Sequence, residues 1–593
     1  MIEFGLEGEK RLTVHIAYAP QNIFNALVTV IRGYPDRRWN PDTMAWSFDL
    51  HIYDTLVTEL SKVENSVSFT PALSAYMNAI EEKRSLLKGL AAYSEDDLAI
   101  DGWTVKPYRF QNAGIRFLSE GKRVMLADNM GLGKTIQAVG ALLRLKQQGK
   151  IASALISGPD SVLDEWKFMI HHYTDYGCRY IGDSREYTHN QLFNTVSYET
   201  LTANLGYRKG AKRKDPQDGT SYEEIQALAV RDAERKSARK AMARECLREV
   251  CKYDVLVLDE AHRASHYQTQ RFKAMFFLSK RISYLWALSA TPLQNRLDEL
   301  FTLFKLIDPD ILGTKATFTS QYCLMGGWND SEIVSHKNLD QFVDIISPYV
   351  LRRTRADVAQ YLPPKTEVRR WVELTKEQRR MYEAIKNKMI AIDADPSKEA
   401  KIKRAETLAE ISYLRQACLS THLINPEIVS SAKLDLLQEV VENVVRDGSK
   451  MIIYCFYKPM CALIRERLGK YGIVYYDGDS TETTQEVKDR FTNSLDSIFL
   501  MTKVGGEGLN LEAANYFIFF NPEYNPKVME QLWGRIDRLT QRKPIEIIHL
   551  LTKDTYEERI IQIVDGKNML FDSTIGQISA LDMSEEDLIR KCA

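Results

Sequence analysis

The sequence predicts an α/β protein with two parallel-sheet lobes, helical insertions and a small N-terminal αβ domain. From Val105 onward, short apolar strands alternate with helical stretches, which is typical of parallel β-α-β units. The alternation stops over residues 310–430, where long polar helices such as 376–389 are predicted. It resumes at 450–456 and runs to about residue 565, which predicts a second lobe.

The 593 residues exceed one ordinary domain, so we expect several units. Phe24–Ile31 has helical apolar spacing and Ala45–Leu50 alternates like a strand, which predicts the N-terminal αβ unit. We therefore predict an accessory domain at 1–65, a helical connector at 66–100, a first lobe at 101–309 with a charged helical insertion at 203–252, helical protrusions and an inter-lobe brace at 310–430, a second lobe at 431–565, and a C-terminal tail at 566–593.

Composition excludes several classes of protein. The formal net charge is −1, so any nucleic-acid binding must come from a local stripe of Lys and Arg. The 8 cysteines form no CxxC pair, which favours reduced thiols over a zinc site. The sequence shows neither a signal peptide nor an apolar stretch long enough to cross a membrane. We expect a soluble protein of the cytoplasm of a prokaryotic or phage-infected cell, and a nuclear one only in a eukaryote.

A glycine-rich loop follows the predicted strand Val124–Ala127 and precedes a predicted helix. In such loops the backbone N–H groups and the helix N-terminus face the phosphates of a nucleotide. Lys134 would add a full positive charge, and Thr135 a hydroxyl for Mg²⁺. Asp128 stands where the general pattern has glycine, so the loop alone could also be a turn before a buried helix. The ATP-binding residues predicted here are Asp128, Asn129, Met130, Gly131, Leu132, Gly133, Lys134 and Thr135.

A pair of carboxylates ends the predicted buried strand 254–258. A carboxylate at a strand end can bind the Mg²⁺ that bridges the phosphates, and the next can position the attacking water. We assign Asp259 to the metal and Glu260 to the water. A solvated acidic pair is the alternative, which the upstream phosphate loop disfavours because the two motifs come in the expected order.

Two further motifs are weaker on their own. Ser289 and Thr291 follow the strand 284–287 and would sense the nucleotide, although hydroxyl residues at strand ends are usually turns or caps. Arg535 and Arg538 lie three residues apart on a predicted helix, which would put both on one face. That face would present guanidinium groups to the γ-phosphate, across a cleft from the phosphate loop. A charged surface helix is the alternative.

In this order, the motifs resemble those of superfamily-two helicase motors of the Swi/Snf type, over nearly all of 103–563. The resemblance implies two RecA-like lobes, ATP and Mg²⁺ as cofactors, and double-stranded or branched DNA as the track. The family's loop typically begins D-E-M-G-L-G-K-T, so Asp128 is expected and Asn129 is a departure from Glu. Tyr108–Gln111 resembles the Q motif, in which Gln111 would recognise adenine.

The resemblance also implies roles in coupling and in DNA binding. Coupling between nucleotide and track would involve His262, Ser289, Thr291 and Gln531. The motifs 196–199 in the first lobe, 351–354 between the lobes and 502–511 in the second would contact DNA. The DNA-binding residues so implied are Ser197, Tyr198, Arg352, Arg353, Thr502, Gly505 and Gly506.

Residues 34–40 and 45–48 are similar to the HARP module of annealing helicases, and a small accessory domain with two tryptophans near a strand explains them equally well. The basic run 208–214 would either contact DNA phosphates or form a solvated face.

We therefore expect an ATP-dependent translocase on double-stranded DNA that serves rewinding, branch migration or fork remodelling. Single-strand-binding or replication and repair proteins would be partners, and a membrane would not. The alternatives are a chromatin-remodeller ATPase and an ATP-gated factor that docks on RNA polymerase or a repair complex. Residues 259–262 read Asp-Glu-Ala-His, a motif that also occurs in DEAH-type RNA helicases. The motifs at 508–511 and 525–526 disfavour that class.

Overall fold

The structure, a computed structural model, describes residues 1–8, 11–34, 36–92, 98–207, 237, 241–290, 297–326, 332–394, 400–480, 482–502, 511–523 and 526–562. By its internal contacts the chain divides into two units. The first comprises Met1–Asp128 and Lys134–Arg352, and the second comprises Asn129–Gly133 together with the chain from Arg353 onward. Among the described helices, none has both the length and the apolar character that crossing a bilayer requires.

The N-terminal domain is a mixed sheet covered by helices. Its strands are β1 (Ile2–Glu7), β2 (Arg11–Ile16), β3 (Arg38–Asn40), β4 (Ala45–Asp49) and β5 (Val67–Phe69), in the order β3-β4-β2-β1-β5. Its helices are α1 (Gln21–Arg32) and α2 (Tyr53–Val63), and α3 (Pro71–Ala92) follows. Phe4, Val14 and Phe48 are buried with Leu27 and Leu56 of the two helices, because alternate strand residues share a face. The predicted helix and strand are confirmed, and β5 extends the sheet past residue 65.

The first lobe contains a parallel sheet. Its strands, within the described residues, are β6 (Arg123–Leu126), β7 (Ala154–Gly158), β8 (Cys178–Tyr180), β9 (Phe193–Ser197), β10 (Val255–Asp259), β11 (Tyr284–Leu288) and β14 (Val350–Leu351). Two more strands, β12 (Cys323–Gly326) and β13 (Glu332–His336), precede β14 and form a separate antiparallel pair. The order is β14-β6-β11-β10-β7-β9-β8, and every pairing in it is parallel. The helices are α4 (Arg109–Gly121), α5 (Lys134–Gln147), α6 (Asp160–Tyr173), α7 (Tyr198–Asn204), α8 (Gln270–Ser279), α9 (Leu297–Ile307), α10 (Lys315–Tyr322) and α11 (Leu339–Ile346).

Strand order decides which loops meet in this lobe. β6, β11 and β10 are neighbours, although β10 and β11 follow β6 by more than a hundred residues. All three strands run in one direction, so their carboxyl ends meet at one edge of the sheet. Ligands of open parallel sheets bind at that edge, and the predicted phosphate loop, the acidic pair and Ser289 follow these three strands.

The second lobe is also a parallel sheet. Its strands, in the part of the chain that the structure describes, are β15 (Lys365–Val372), β16 (Met451–Tyr454), β17 (Ile473–Tyr476), β18 (Ile498–Met501), β19 (Tyr516–Phe519) and β20 (Ile545–Thr552), in the order β15-β20-β19-β16-β18-β17. Its helices are α12 (Lys376–Ala394), α13 (Ala400–Leu419), α14 (Ala432–Arg446), α15 (Lys458–Leu468), α16 (Thr484–Asn493) and α17 (Pro526–Trp533). The two parallel-sheet lobes and the N-terminal αβ domain confirm the predicted fold class.

Both faces of β16, an interior strand of the second sheet, are buried. Ile452 and Tyr454 of β16 pack into one apolar cluster, while Met451 and Ile453 pack into another on the opposite face. A strand buried on both sides has to be apolar throughout, which is why this segment shows no polar alternation.

A buried ion pair connects two ends of this lobe. Lys433 Nζ lies 2.6 Å from Glu557 Oε1 and donates to the Phe520 carbonyl at 3.2 Å. Glu557 Oε2 accepts the N–H and the hydroxyl of Thr552, each at 2.8 Å. Both side chains of the pair are fully buried, so these hydrogen bonds offset the loss of hydration.

Candidate active site

The predicted phosphate loop joins the end of β6 to the start of α5. Lys134 is the first residue of α5, and its Nζ donates to the Asp128 carbonyl at 2.8 Å. Gly131 and Gly133 have φ of 81° and 73°, a region that glycine adopts without steric cost. The loop therefore curls back on itself and places the lysine at a helix N-terminus, as phosphate binding requires.

Asp128, the residue that departs from the general loop pattern, has a structural partner. It is fully buried, and its Oδ2 accepts a hydrogen bond from Gln137 Nε2 at 3.0 Å. Gln137 lies one turn into α5 and is also fully buried. A carboxylate at this position thus ties the start of the loop to the helix that follows it.

The predicted metal-binding carboxylate, Asp259, is the last residue of β10 and is 5% exposed. Its Oδ2 accepts the indole N–H of Trp166 at 2.7 Å, and its Oδ1 accepts the backbone N–H of Glu260 at 2.8 Å. Its carbonyl accepts the hydroxyl of Tyr198 at 2.8 Å. Both the side chain and the backbone of Asp259 are therefore held by hydrogen bonds.

Burial, together with the charge of Glu260, raises the pKa of Asp259 to about 6. The Trp166 hydrogen bond, the Glu260 N–H and the charge of Lys134 act in the opposite direction. A buried carboxylate beside an ammonium and a helix N-terminus fits a divalent cation with nucleotide phosphates, because the cation would favour the ionised form of the acid.

Glu260, the predicted water-positioning residue, has an unusual backbone. Its φ of 47° and ψ of 51° lie in the left-handed region, which residues with a side chain rarely occupy. Such strain is concentrated at functional sites. His262 Nδ1 lies 3.2 Å from Glu260 Oε2 and 3.1 Å from Ser289 Oγ. The structure thus brings three of the predicted catalytic and coupling residues together, while Thr291 lies outside the described residues.

Gln111 is buried near the start of α4. Its Oε1 accepts the backbone N–H of Tyr108 at 3.0 Å, one of the N–H groups that no helical carbonyl can satisfy. Recognition of adenine by Gln111 stays a prediction.

Ser197 and Tyr198, two of the residues predicted to contact DNA, lie inside the first lobe. Ser197 is 1% exposed and caps α7 by accepting the N–H of Thr200 at 3.2 Å. Tyr198 is fully buried, with its hydroxyl on Asp259. Arg271 of α8 lies over the Tyr198 ring at 5.4 Å. Both side chains thus support the lobe from within, and their contacts with DNA stay predictions.

Arg535 and Arg538 do not lie on a helix. α17 ends at Trp533, and a turn follows in which the Ile536 N–H donates to the Trp533 carbonyl at 3.1 Å. Gly534 comes directly after the last helical residue, where the low helix propensity of glycine favours an end. The prediction of a helix carrying both arginines was wrong. Arg535 is 5% exposed and Arg538 is half-buried.

Arg355, in the segment that precedes β15, stabilises that turn. Arg355 forms an ion pair with Asp537, and its Nη1 donates to the Asp537 carbonyl at 3.1 Å. The Arg355 guanidinium also lies over the Trp533 ring at 5.6 Å. Arg355 was not among the predicted site residues, because nothing in the local sequence pattern separates it from the neighbouring basic residues.

The remaining predicted residues are placed as follows. Thr502 is buried at the end of β18, whereas Arg352, Arg353 and Gln531 are half-buried. Gly505 and Gly506, like the basic run 208–214, lie outside the described residues. The DNA contacts predicted for Arg352, Arg353, Thr502, Gly505 and Gly506 stay predictions, as does the coupling role of Gln531.

Comparison with known proteins gives two domain matches. The SNF2-related domain matches residues 110–423, and the helicase conserved C-terminal domain matches residues 432–540. The first match begins in α4 and runs through the sheet of the first lobe to α13, and the second begins at the start of α14 and includes β16 to β19 of the second lobe.

Several curated proteins are similar to this chain. The "DNA repair and recombination protein RAD54-like" of Drosophila pseudoobscura pseudoobscura is 29% identical over 527 residues, which cover 78% of this chain and 63% of the relative. The "CHD3-type chromatin-remodeling factor PICKLE" of Arabidopsis thaliana is 26% identical over 508 residues, which cover 81% of this chain and 35% of the relative. The chain thus spans less than two thirds of the length of these relatives.

Among solved structures, the "Sulfolobus solfataricus SWI2/SNF2 ATPase core in complex with dsDNA" is 23% identical, with a TM-score of 0.37. The match covers 83% of this chain and 98% of that one. The low TM-score carries no weight for the fold, which the strand orders of the two lobes define.

Proposed function

Because this chain belongs to the SNF2-related family of helicase-like ATPases, we propose that it is an ATP-dependent translocase on double-stranded DNA. It would serve DNA rewinding, branch migration or fork remodelling. Membership of the family implies ATP hydrolysis. The observation that carries the proposal is the meeting of Lys134, Asp259 and Glu260 at the carboxyl ends of β6 and β10, two strands separated in the sheet by β11 alone.

Each of these residues has a task in hydrolysis that its placement supports. Lys134 and the loop N–H groups would hold the phosphates, and Asp259 with the Thr135 hydroxyl would hold Mg²⁺. Mg²⁺, when bound, neutralises negative charge that develops on the phosphates. Glu260 would orient the attacking water and accept its proton, and Arg535 and Arg538 would stabilise the transition state.

Double-stranded DNA is proposed as the track from the similarity to a DNA repair and recombination protein. The net charge of −1 means that contacts with phosphate must be local, and Arg352 and Arg353 are half-buried candidates. A strand held by the two lobes would be released and regripped as ATP is bound and hydrolysed.

Chromatin remodelling is the second candidate, because a chromatin-remodeling factor of Arabidopsis thaliana and a regulator of chromatin of Mus musculus are each 26% identical to this chain. Nucleosomes and naked duplex DNA of the same length would separate the two proposals. Stimulation of ATP hydrolysis by nucleosomes well beyond that by naked DNA would favour the remodeller.

Displacement of a third strand from duplex DNA tests translocation directly. A motor that moves along a duplex should release the bound third strand when ATP is present, and the Glu260→Gln chain should not. If wild-type chain hydrolyses ATP with duplex DNA but releases no more third strand than Glu260→Gln, the translocase proposal fails.

A further inference from the structure

The carboxylate of Asp259 accepts a hydrogen bond from a residue that is distant in sequence within the first lobe. Trp166 lies on α6, 93 residues before Asp259, and its indole N–H donates to Asp259 Oδ2 at 2.7 Å. Trp166 is fully buried and Asp259 is 5% exposed, so water does not replace this hydrogen bond. A hydrogen bond to an ionised acceptor in such surroundings is among the stronger ones in proteins.

Three donors together leave Asp259 little freedom. The Glu260 N–H holds Oδ1 at 2.8 Å, opposite the oxygen that Trp166 holds. The Tyr198 hydroxyl, on α7, holds the carbonyl at 2.8 Å. The Tyr198 hydroxyl bonds to the main chain and the Glu260 N–H belongs to the adjacent peptide, so Trp166 is the donor in this set that holds the carboxylate itself from another part of the lobe.

We propose that Trp166 is a positioning residue for metal binding: its indole N–H orients the Asp259 carboxylate for Mg²⁺ before the nucleotide arrives. The inference rests on the proposed function, which makes Asp259 the ligand of Mg²⁺. Groups that hydrogen-bond to metal ligands orient them, and loss of such a group typically costs metal affinity or activity about 10- to 100-fold.

A purely packing role is the competing explanation, and the chain contains a matched control for it. Trp286 of β11 is also fully buried in the first lobe, on the strand next to β10. Within the described residues, its indole nitrogen has no hydrogen-bond partner. Replacing either tryptophan by phenylalanine removes similar packing, but only Trp166→Phe removes a donor from Asp259.

The experiment measures binding of a fluorescent ATP analogue to the full chain, by titration of Mg²⁺ and in EDTA. For Trp166→Phe we expect the Mg²⁺ concentration at half-saturation to rise about 10- to 100-fold, with binding in EDTA unchanged. Trp286→Phe should match wild type in both. Melting temperatures report the shared loss of packing. If Trp166→Phe does not fold, Trp166→His keeps a ring N–H and should show a smaller rise in the same concentration.

Equal Mg²⁺ dependence in Trp166→Phe and Trp286→Phe would overturn the inference while leaving the ATPase intact. Equal weakening of Trp166→Phe or Trp166→His with and without Mg²⁺ would overturn it in favour of packing. Absence of Mg²⁺-dependent binding in the wild-type chain would instead refute the proposed function, and the inference with it.

Discussion

His262 Nδ1 lies 3.1 Å from Ser289 Oγ, so one hydrogen bond joins the loop after β10 to the end of β11. The same nitrogen is 3.2 Å from Glu260 Oε2. In the His262 tautomer that carries its hydrogen on Nδ1, this nitrogen has a single hydrogen to donate, so Ser289 and Glu260 compete for the same hydrogen bond. We therefore expect the availability of Glu260 for the attacking water to depend on Ser289.

Ser289→Ala should leave the Nδ1 hydrogen of His262 to Glu260 and weaken coupling between DNA and hydrolysis. We expect the ratio of duplex-stimulated to basal ATP hydrolysis to fall by up to about tenfold, the value of one ordinary hydrogen bond. Steady-state ATPase assays with and without duplex DNA measure this ratio. Ser279→Ala is the control, because Ser279 is equally buried but bonds only within α8. An unchanged ratio in Ser289→Ala would contradict the coupling role.

Lys134→Ala and Glu260→Gln should each lower DNA-stimulated hydrolysis by at least about 100-fold while leaving the fold intact. Lys134→Ala removes the cation of the phosphate loop, so nucleotide binding should weaken too. Glu260→Gln keeps the size of the side chain and should still bind ATP. Rates, nucleotide affinity and circular dichroism are compared with Lys150→Ala, which changes an exposed lysine of the same lobe. Wild-type turnover in Glu260→Gln would refute its assignment.

Arg535→Ala should lower kcat far more than it changes the KM for ATP, by roughly 1,000-fold if the guanidinium stabilises the transition state. Arg535 is buried, so a melting curve must show that the lobe stays folded. Arg542→Ala, at an exposed position nearby, should behave as wild type. A raised KM with unchanged kcat would mean that Arg535 contributes only to binding.

Lys433→Met should destabilise the second lobe by about 3–5 kcal/mol, because it leaves Glu557 charged and buried without its partner. Urea unfolding monitored by fluorescence measures the change. The double variant Lys433→Met, Glu557→Leu should recover most of the loss, since no unpaired charge remains. A single variant as stable as wild type would contradict the account of this pair, and Lys458→Ala, at an exposed ion pair, should change stability little.

The sheets and the phosphate loop could be predicted from local sequence patterns. The segments Val255–Leu258 and Met451–Tyr454 are apolar throughout, and such strands occur where both faces of a sheet are covered. The loop with Lys134 was predictable because a strand, glycines and a helix follow one another in sequence.

Contacts between distant segments were not predictable in this way. Trp166 and Tyr198 meet Asp259 from 93 and 61 residues away, and no local periodicity records such a meeting. The helix predicted to carry Arg535 and Arg538 failed for another reason. Their spacing suits one face of a helix, but Gly534 follows directly on the end of α17, and Arg355 fixes a turn instead.

The most direct test of the account is the rate of ATP hydrolysis with duplex DNA, forked DNA, single-stranded DNA and RNA, each at saturating concentration. We predict strong stimulation by duplex or forked DNA, weaker stimulation by single strands, and little by RNA. A preference for forks over linear duplex would favour fork remodelling among the proposed roles. Stimulation by RNA equal to that by duplex DNA would contradict the assignment of double-stranded DNA as the track.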